Sequence, residues 1–102
     1  MKLIWTDTAV KDLESIKNYI ANDSEVYSLN FVQEIINTIE KLYDFPAIGR
    51  KVPEANNDNI RELIYLNYRI IYKKKENSVI ILSIIHGARS LNNMETKPWN
   101  KD

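Results

Sequence analysis

Glu54, Arg69 and His86 are the side chains with the widest chemical reach in this chain of 102 residues. A carboxylate can take a proton from a hydroxyl, and an imidazole can relay one near neutral pH. An arginine offers a fork of donors that matches phosphate or carboxylate. Brought together, the three would activate a ribose hydroxyl and stabilise a transferring phosphate. Each also has a plainer reading. Arg69 sits mid-strand among tyrosines and isoleucines, where its guanidinium points into water or pairs with Glu62. His86, the single histidine, ends an apolar run just before Gly87-Ala88-Arg89, a place that suits a hydrogen bond to backbone. Glu54 follows Val52-Pro53 and matters only if its loop folds toward the other two. Arg89 either shares a cationic site with Arg69 or pairs with a carboxylate. Arg50-Lys51 and the run Lys73, Lys74, Lys75 are local basic patches, and the opposite charges of Arg61-Glu62 read as an edge-strand pair.

Other chemistries are excluded. Cysteine is absent, which removes disulfides, thiolate nucleophiles and thiolate metal sites. One histidine without cysteine argues against zinc. No Gly-rich phosphate loop or serine elbow occurs, so no cofactor and no metal is implied. The 14 basic residues balance the 14 acidic ones, which speaks against simple duplex binding, since dedicated nucleic-acid binders carry a basic excess. The longest aliphatic run, Val79 to Ile85, is far below the roughly 20 residues of a membrane span. A small chain with neither disulfides nor a secretory h-region is expected in the cytoplasm.

The elements that must position these residues are legible as hydrophobic periods. Ile60 to Arg89 alternates β-branched and aromatic residues with two short polar breaks, the composition of consecutive strands. It divides into Ile60 to Tyr65, Tyr68 to Lys74 and Ser78 to His86, joined by turns at Leu66-Asn67 and Glu76-Asn77 that force antiparallel neighbours. In the middle strand Tyr68, Ile70 and Tyr72 share one face, and Arg69, Ile71 and Lys73 the other. The last strand is apolar on both faces, with Val79, Ile81 and Ile85 against Ile80, Leu82 and Ile84, a pattern that suits a central strand.

Before this block, Lys2 to Trp5 reads as a short opening strand. Asp7 or Thr8 is placed to cap a helix whose apolar stripe is Ala9, Leu13, Ile16 and Ile20, ending near Ala21. Ser24 is placed to cap a second helix of roughly five turns, with stripe Val26, Leu29, Val32, Ile36, Ile39 and Tyr43, widened by Ile35 and Leu42 and stopped by Pro46. The short connection implies an antiparallel helical hairpin. Phe45 to Asn59 is a non-periodic loop that Phe45, Ile48 and Val52 are expected to anchor to the core.

The expected class is α+β with two layers. An N-terminal strand and an antiparallel helical hairpin pack on a mainly antiparallel sheet of about four strands, in the order β-α-α-β-β-β. The other sheet face is expected to be concave and partly open. Residues 1–102 form a single domain, with 90–102 a C-terminal tail or short helix. Trp99 beside Pro98 either docks back on the sheet or stays exposed for a partner.

Several short pieces, in this order and at these spacings, carry a resemblance. They are Trp5 with Ala9, Asp12-Leu13 with Ile16 and Tyr19-Ile20, Phe31, Phe45-Pro46 with Gly49-Arg50, and Val52-Pro53-Glu54. Arg61-Glu62-Leu63, Tyr68-Arg69-Ile70-Ile71-Tyr72 and Ile85-His86-Gly87-Ala88-Arg89 complete the set. The chain resembles toxins of the RelE/ParE superfamily, in the ParE-like or plasmid-stabilisation branch. The resemblance implies a bacterial type II toxin–antitoxin module, with a cognate antitoxin that folds on binding and that supplies any contact with operator DNA. ParE-like members inhibit DNA gyrase and block replication. RelE-like and YoeB-like members cut mRNA on the ribosome, and Glu54, Arg69 and His86 fall where the YoeB-like branch has its glutamate, arginine and histidine. Gly87 stands where that branch has a tyrosine, and none follows Tyr72. The resemblance therefore favours gyrase inhibition, with mRNA cleavage and a non-toxic interaction or structural domain as alternatives. On the toxin readings Arg50, Arg61, Arg69, Arg89 and Trp99 are the expected contacts to target or antitoxin.

Overall fold

Helix formation in the first half follows from two hydroxyl caps. In the computed structural model, which describes residues 1–89 and 91–100, α1 spans Asp7–Ala21 and α2 spans Glu25–Glu40. Thr6 Oγ1 accepts from the Ala9 amide at 3.1 Å, and Ser24 Oγ accepts from the Tyr27 amide at 3.1 Å. Each hydroxyl satisfies one of the amides a helix start leaves unpaired. The first cap is thus Thr6, not Asp7 or Thr8. Asp7 instead lies in the first turn, where its charge complements the helix dipole. A 3-10 turn, Lys41–Tyr43, tightens the end of α2 before Pro46.

The helical hairpin lies on one face of a five-stranded sheet. The strands are β1 (Lys2–Trp5), β2 (Arg50–Lys51), β3 (Ile60–Tyr65), β4 (Tyr68–Lys74) and β5 (Ser78–His86). Their order across the sheet is β1-β5-β4-β3-β2, with β1 parallel to β5 and every other pair antiparallel. The α+β, two-layer expectation holds. The fifth strand is β2, two residues inside the segment expected to be loop; its ladder pairs Arg50 with Glu62 and Lys51 with Arg61. Glu62 and Arg61 are therefore covered by a neighbour rather than lying on a free edge.

The core beneath the hairpin joins Ala9, Phe31, Ile35, Ile39 and Leu42 to Ile70, Tyr72, Val79, Ile81 and Ile84, with Leu13, Ile16 and Ile20 packed against it. The α1 stripe is as expected. On α2 the buried stripe is Ser28, Phe31, Ile35 and Ile39, while Val26 and Leu29 are exposed. This helix is apolar on two sides, and the side carrying Phe31 faces the sheet. Tyr43 is also exposed, and Val32 and Ile36 are half-buried at the boundary.

The strict alternation expected for β5 breaks in the middle. Ile71 pairs with Ser83 but Tyr72 with Ile81, so Leu82 is an extra residue without a partner. Beyond it the faces exchange: Ile84 joins Val79 and Ile81 under the helices, and Ile85 joins Ile80 and Leu82 on the other side. The bulge is held from the helical layer. Asp12 accepts from the Ser83 hydroxyl at 2.6 Å and from the Ile84 amide at 2.9 Å. The Thr6 hydroxyl donates toward the carbonyls of Ile81 at 2.9 Å and Leu82 at 3.0 Å. A buried bulge frees polar backbone groups that need partners, and these two side chains at the start of α1 supply them.

The second sheet face is covered rather than open. Val52, Ile60, Ile71, Leu82, Ile85 and Leu91 form a second cluster, with Ala55, Ile80, Met94 and Trp99 packed against it. Trp99 sits in a 3-10 turn, Pro98–Asn100, and docks back on the sheet. Of the expected C-terminal tail, Ser90, Lys101 and Asp102 lie outside the described residues. Only Val52 of the three expected loop anchors is buried; Phe45 and Ile48 are 62% and 54% exposed. The loop is held instead by polar contacts. Gly49 N–H donates to the Tyr72 hydroxyl at 2.9 Å, and Arg61 donates to the Gly49 carbonyl at 2.8 Å. A Cβ on Gly49 would lie 2.6 Å from both the Glu62 carbonyl and the Tyr72 hydroxyl, so only glycine fits there. Among the described residues no helix is long and apolar enough to cross a membrane.

Candidate functional site

Arg69 is carried by β4 on the second sheet face, where the covering loop leaves the residue buried, at 8% exposure. A guanidinium so placed needs carboxylates, and it has two. Its Nε donates to Glu62 Oε1 at 2.5 Å. Its Nη1 and Nη2 donate to the two oxygens of Glu54 at 3.1 and 2.9 Å. Glu62 is 1% exposed and accepts from Arg50 Nε at 2.6 Å through its second oxygen. The four side chains form one alternating series, Arg50–Glu62–Arg69–Glu54. It begins where β2 meets β3 and ends on the loop after Val52.

The electrostatic consequences follow directly. The Glu54 contact, with the Glu62 bond and the nearby negative charges, holds the Arg69 guanidinium above its ordinary arginine range against the cost of burial. The same hydrogen bonds to Arg69 hold the Glu54 carboxyl below the usual glutamate value. A carboxylate so stabilised is a weak proton acceptor at neutral pH. Burial pushes the Tyr72 phenol up from its ordinary value.

His86 stands apart from this series. It pairs across the ladder with Tyr68, on the helical side, and their rings meet edge to face with centroids 5.5 Å apart. Tyr68 in turn meets Phe31 at 5.3 Å. The exposed His86 ring accepts from the Ala88 amide through Nδ1 at 3.1 Å, a bond to backbone of the kind expected at a strand end. Glu54, Arg69 and His86 all line one cavity of about 440 Å³ at the end of the sheet, together with Arg50, Tyr68 and Gly87. Two of the three are therefore directly joined, and the third faces the cavity from its far rim with no hydrogen bond to either.

The remaining candidates are dispersed. Arg50 is mostly exposed beyond its contact with Glu62. Arg61 points to the helical side and holds the loop backbone through Gly49 and Ala47. Arg89 is exposed in the turn after β5, where its amide donates to the His86 carbonyl at 3.0 Å. Trp99 lies in the second core. Sequence reasoning missed the double role of Glu62 and the part of Asp12 in holding the bulge. The signal for Glu62 was a glutamate at an inward strand position on the same face as Arg69, where a lone charge would be costly. Among the described residues no three His, Cys, Asp or Glu side chains gather as a metal site.

A family model described as the ParE toxin of the type II toxin–antitoxin system parDE matches residues 3–91. No curated protein matches the chain. Among solved structures, a chain of the chromosomal ParDE system from P. aeruginosa is 25% identical, with a TM-score of 0.71 over 84% of this chain and 95% of that one. A chain of the toxin–antitoxin complex RelBE2 from Mycobacterium tuberculosis is 18% identical, with a TM-score of 0.61 over 83% of this chain and 95% of that one, a likeness of fold.

Proposed function

This chain belongs to the ParE toxin family of type II toxin–antitoxin systems, and we propose that it acts by inhibiting DNA gyrase and so blocking replication. The observation that carries the choice over mRNA cleavage is the closed state of the Arg69 fork. A nuclease needs a guanidinium free to meet a phosphate and a base able to take a proton. Here Arg69 is buried between two carboxylates, and Glu54 is held ionised by Arg69. His86 turns toward Tyr68 on the other face. The balance of 14 basic and 14 acidic residues also suits a protein target better than a ribosomal RNA surface. Purified protein should inhibit supercoiling by purified gyrase; unimpaired supercoiling at saturating protein would overturn the proposal.

A cognate antitoxin is the second partner we propose, supported by two structural neighbours that are toxin–antitoxin systems. A groove of about 340 Å³ between α1 and α2, lined by Trp5, Val10, Leu13, Val32 and Ile36, offers that partner an apolar seat. An amphipathic segment that folds on binding would cover it. Growth arrest on induced expression, reversed by the neighbouring gene, tests the pair. The mRNA-cleavage reading retains one observation in its favour, that Glu54, Arg69 and His86 line a single cavity.

A further inference from the structure

The four charged side chains of the series are not held equally. Glu62 has its carboxylate fully buried and both oxygens committed, at 2.6 Å to Arg50 and 2.5 Å to Arg69. The backbone of Arg50 is held opposite Glu62 by the pairing of β2 with β3, while its side chain is 62% exposed. The plane of the Arg69 guanidinium is therefore set from behind, by strand residues, whatever lies on its other edge. Glu54 is on that other edge. Its side chain keeps 19% exposure and comes from a loop, and both of its carboxylate oxygens accept from Arg69. Beyond it opens the 440 Å³ cavity.

We propose that the Nη1–Nη2 edge of Arg69 is a carboxylate-binding site that Glu54 occupies from within, and that an acidic side chain flanked by aliphatic residues, on a protein partner, takes it by displacing Glu54. Three observations carry this. The fork is preorganised without Glu54, so a ligand meets donors already in place. With Glu54 withdrawn, the site holds two guanidiniums against one carboxylate, and that excess draws an anion. Its walls, finally, include Pro53, Ile64 and Leu66, the last two exposed apolar side chains. A phosphodiester chain wants further cations at such a rim, whereas an acidic residue with aliphatic neighbours fits it. The exchange replaces one carboxylate by another at the same two nitrogens. Glu54 competes as a tethered ligand, so its effective concentration sets how strong a partner must be. The proposal rests on these side chains and is independent of whether gyrase is the target.

The test uses the full chain and the blocked tripeptide Ac-Leu-Glu-Leu-amide, read in every variant by the backbone amides that line the cavity and, where Arg69 is present, by its Nε–H resonance. Glu54→Gln should bind the peptide saturably and at least ~tenfold more tightly than the unmodified chain, because the tethered competitor is gone. Adding Arg69→Lys to that variant should abolish the binding. In the unmodified chain, saturating peptide should shift the Glu54 and Ala55 amides as the loop is displaced. Glu54→Asp, a methylene shorter, should fall between the two and serves as a second variant if Glu54→Gln folds poorly. Equal or absent binding by Glu54→Gln and Glu54→Asp overturns the proposal. So does saturation of the unmodified chain with still loop amides. Tighter binding of inorganic phosphate than of the peptide also overturns it, and assigns the fork to phosphate.

Discussion

Changing Glu62 to glutamine tests whether the buried charge series holds the covering loop to the sheet. The carboxylate is 1% exposed and accepts from two Nε–H donors, on Arg50 at 2.6 Å and on Arg69 at 2.5 Å. Glutamine has nearly the same volume but only one oxygen, so its amide nitrogen must face one of the two donors. In either orientation Arg69, buried at 8% exposure, keeps Glu54 as its one charged partner among these residues. Breaking a buried pair in this way costs about 3–5 kcal/mol. The contribution of Arg50 is discounted, since most of its side chain is in water. Against a total stability of roughly 5–15 kcal/mol for a domain of this size, that is a large fraction. At about 4–8 °C per kcal/mol it lowers Tm by roughly 12 °C or more. Glu54→Gln, on the same guanidinium but at its outer edge, should cost only about 1–2 kcal/mol. Urea unfolding followed by the fluorescence of Trp5 and Trp99 reads both. A loss below about 1 kcal/mol for Glu62→Gln refutes the reasoning, because the series would then be worth no more than a surface pair. Equal losses for the two variants refute it as well.

Three further outcomes are expected. Asp12→Ala strips the Ser83 hydroxyl and the Ile84 amide of their acceptor, and should cost about 2–3 kcal/mol in urea unfolding; a neutral result would mean that the bulge supports itself. Tyr72→Phe leaves the buried Gly49 amide unpaired and should lower stability by about 1–3 kcal/mol with an unchanged urea slope. The third concerns pH. Arg69 holds the Glu54 carboxyl below its ordinary 4.5, so the stability it adds is fully present above that value and is lost as pH falls through the folded-state value. Acid unfolding of the unmodified chain should therefore steepen below about 4.5, and Glu54→Gln should flatten part of that slope. An identical acid limb in both proteins would remove Glu54 from the account.

Elements with a strong local signal were legible in the sequence. Helix α1, its stripe, the three strands from Ile60 to His86 and both of their turns follow from period and turn chemistry. What escaped was decided by contacts distant in sequence. Helix α2 is apolar on two sides, and tertiary packing, with Phe31 against Tyr65 and Tyr68 and Ile35 and Ile39 in the same core, selects the buried face. The bulge at Leu82 depends on Thr6 and Asp12, more than 70 residues away, and local alternation carries no trace of them. Strand β2 has two residues and exists because Glu62 and Tyr72 hold its ends. The same limit applies to the site. For Arg69 the sequence offers a guanidinium in water or paired with Glu62; the structure shows the pairing, and its burial comes from the covering loop. That Glu54 would close the other edge required the fold of a loop with no periodicity. His86 was placed at the right strand end, yet the face it takes depends on the bulge.

We propose that this ParE-family chain inhibits gyrase through protein contacts and does not cut RNA. The most direct measurement exposes cells to matched induction of the unmodified chain and of Arg69→Ala and His86→Ala variants whose folding is verified. Gyrase–DNA cleavage complexes and ribosome-dependent mRNA breaks are then mapped in the same samples. The account predicts accumulation of cleavage complexes by the unmodified chain, with mRNA left intact. Ribosome-dependent cuts by the unmodified chain that vanish in either variant, without gyrase complexes, would contradict it.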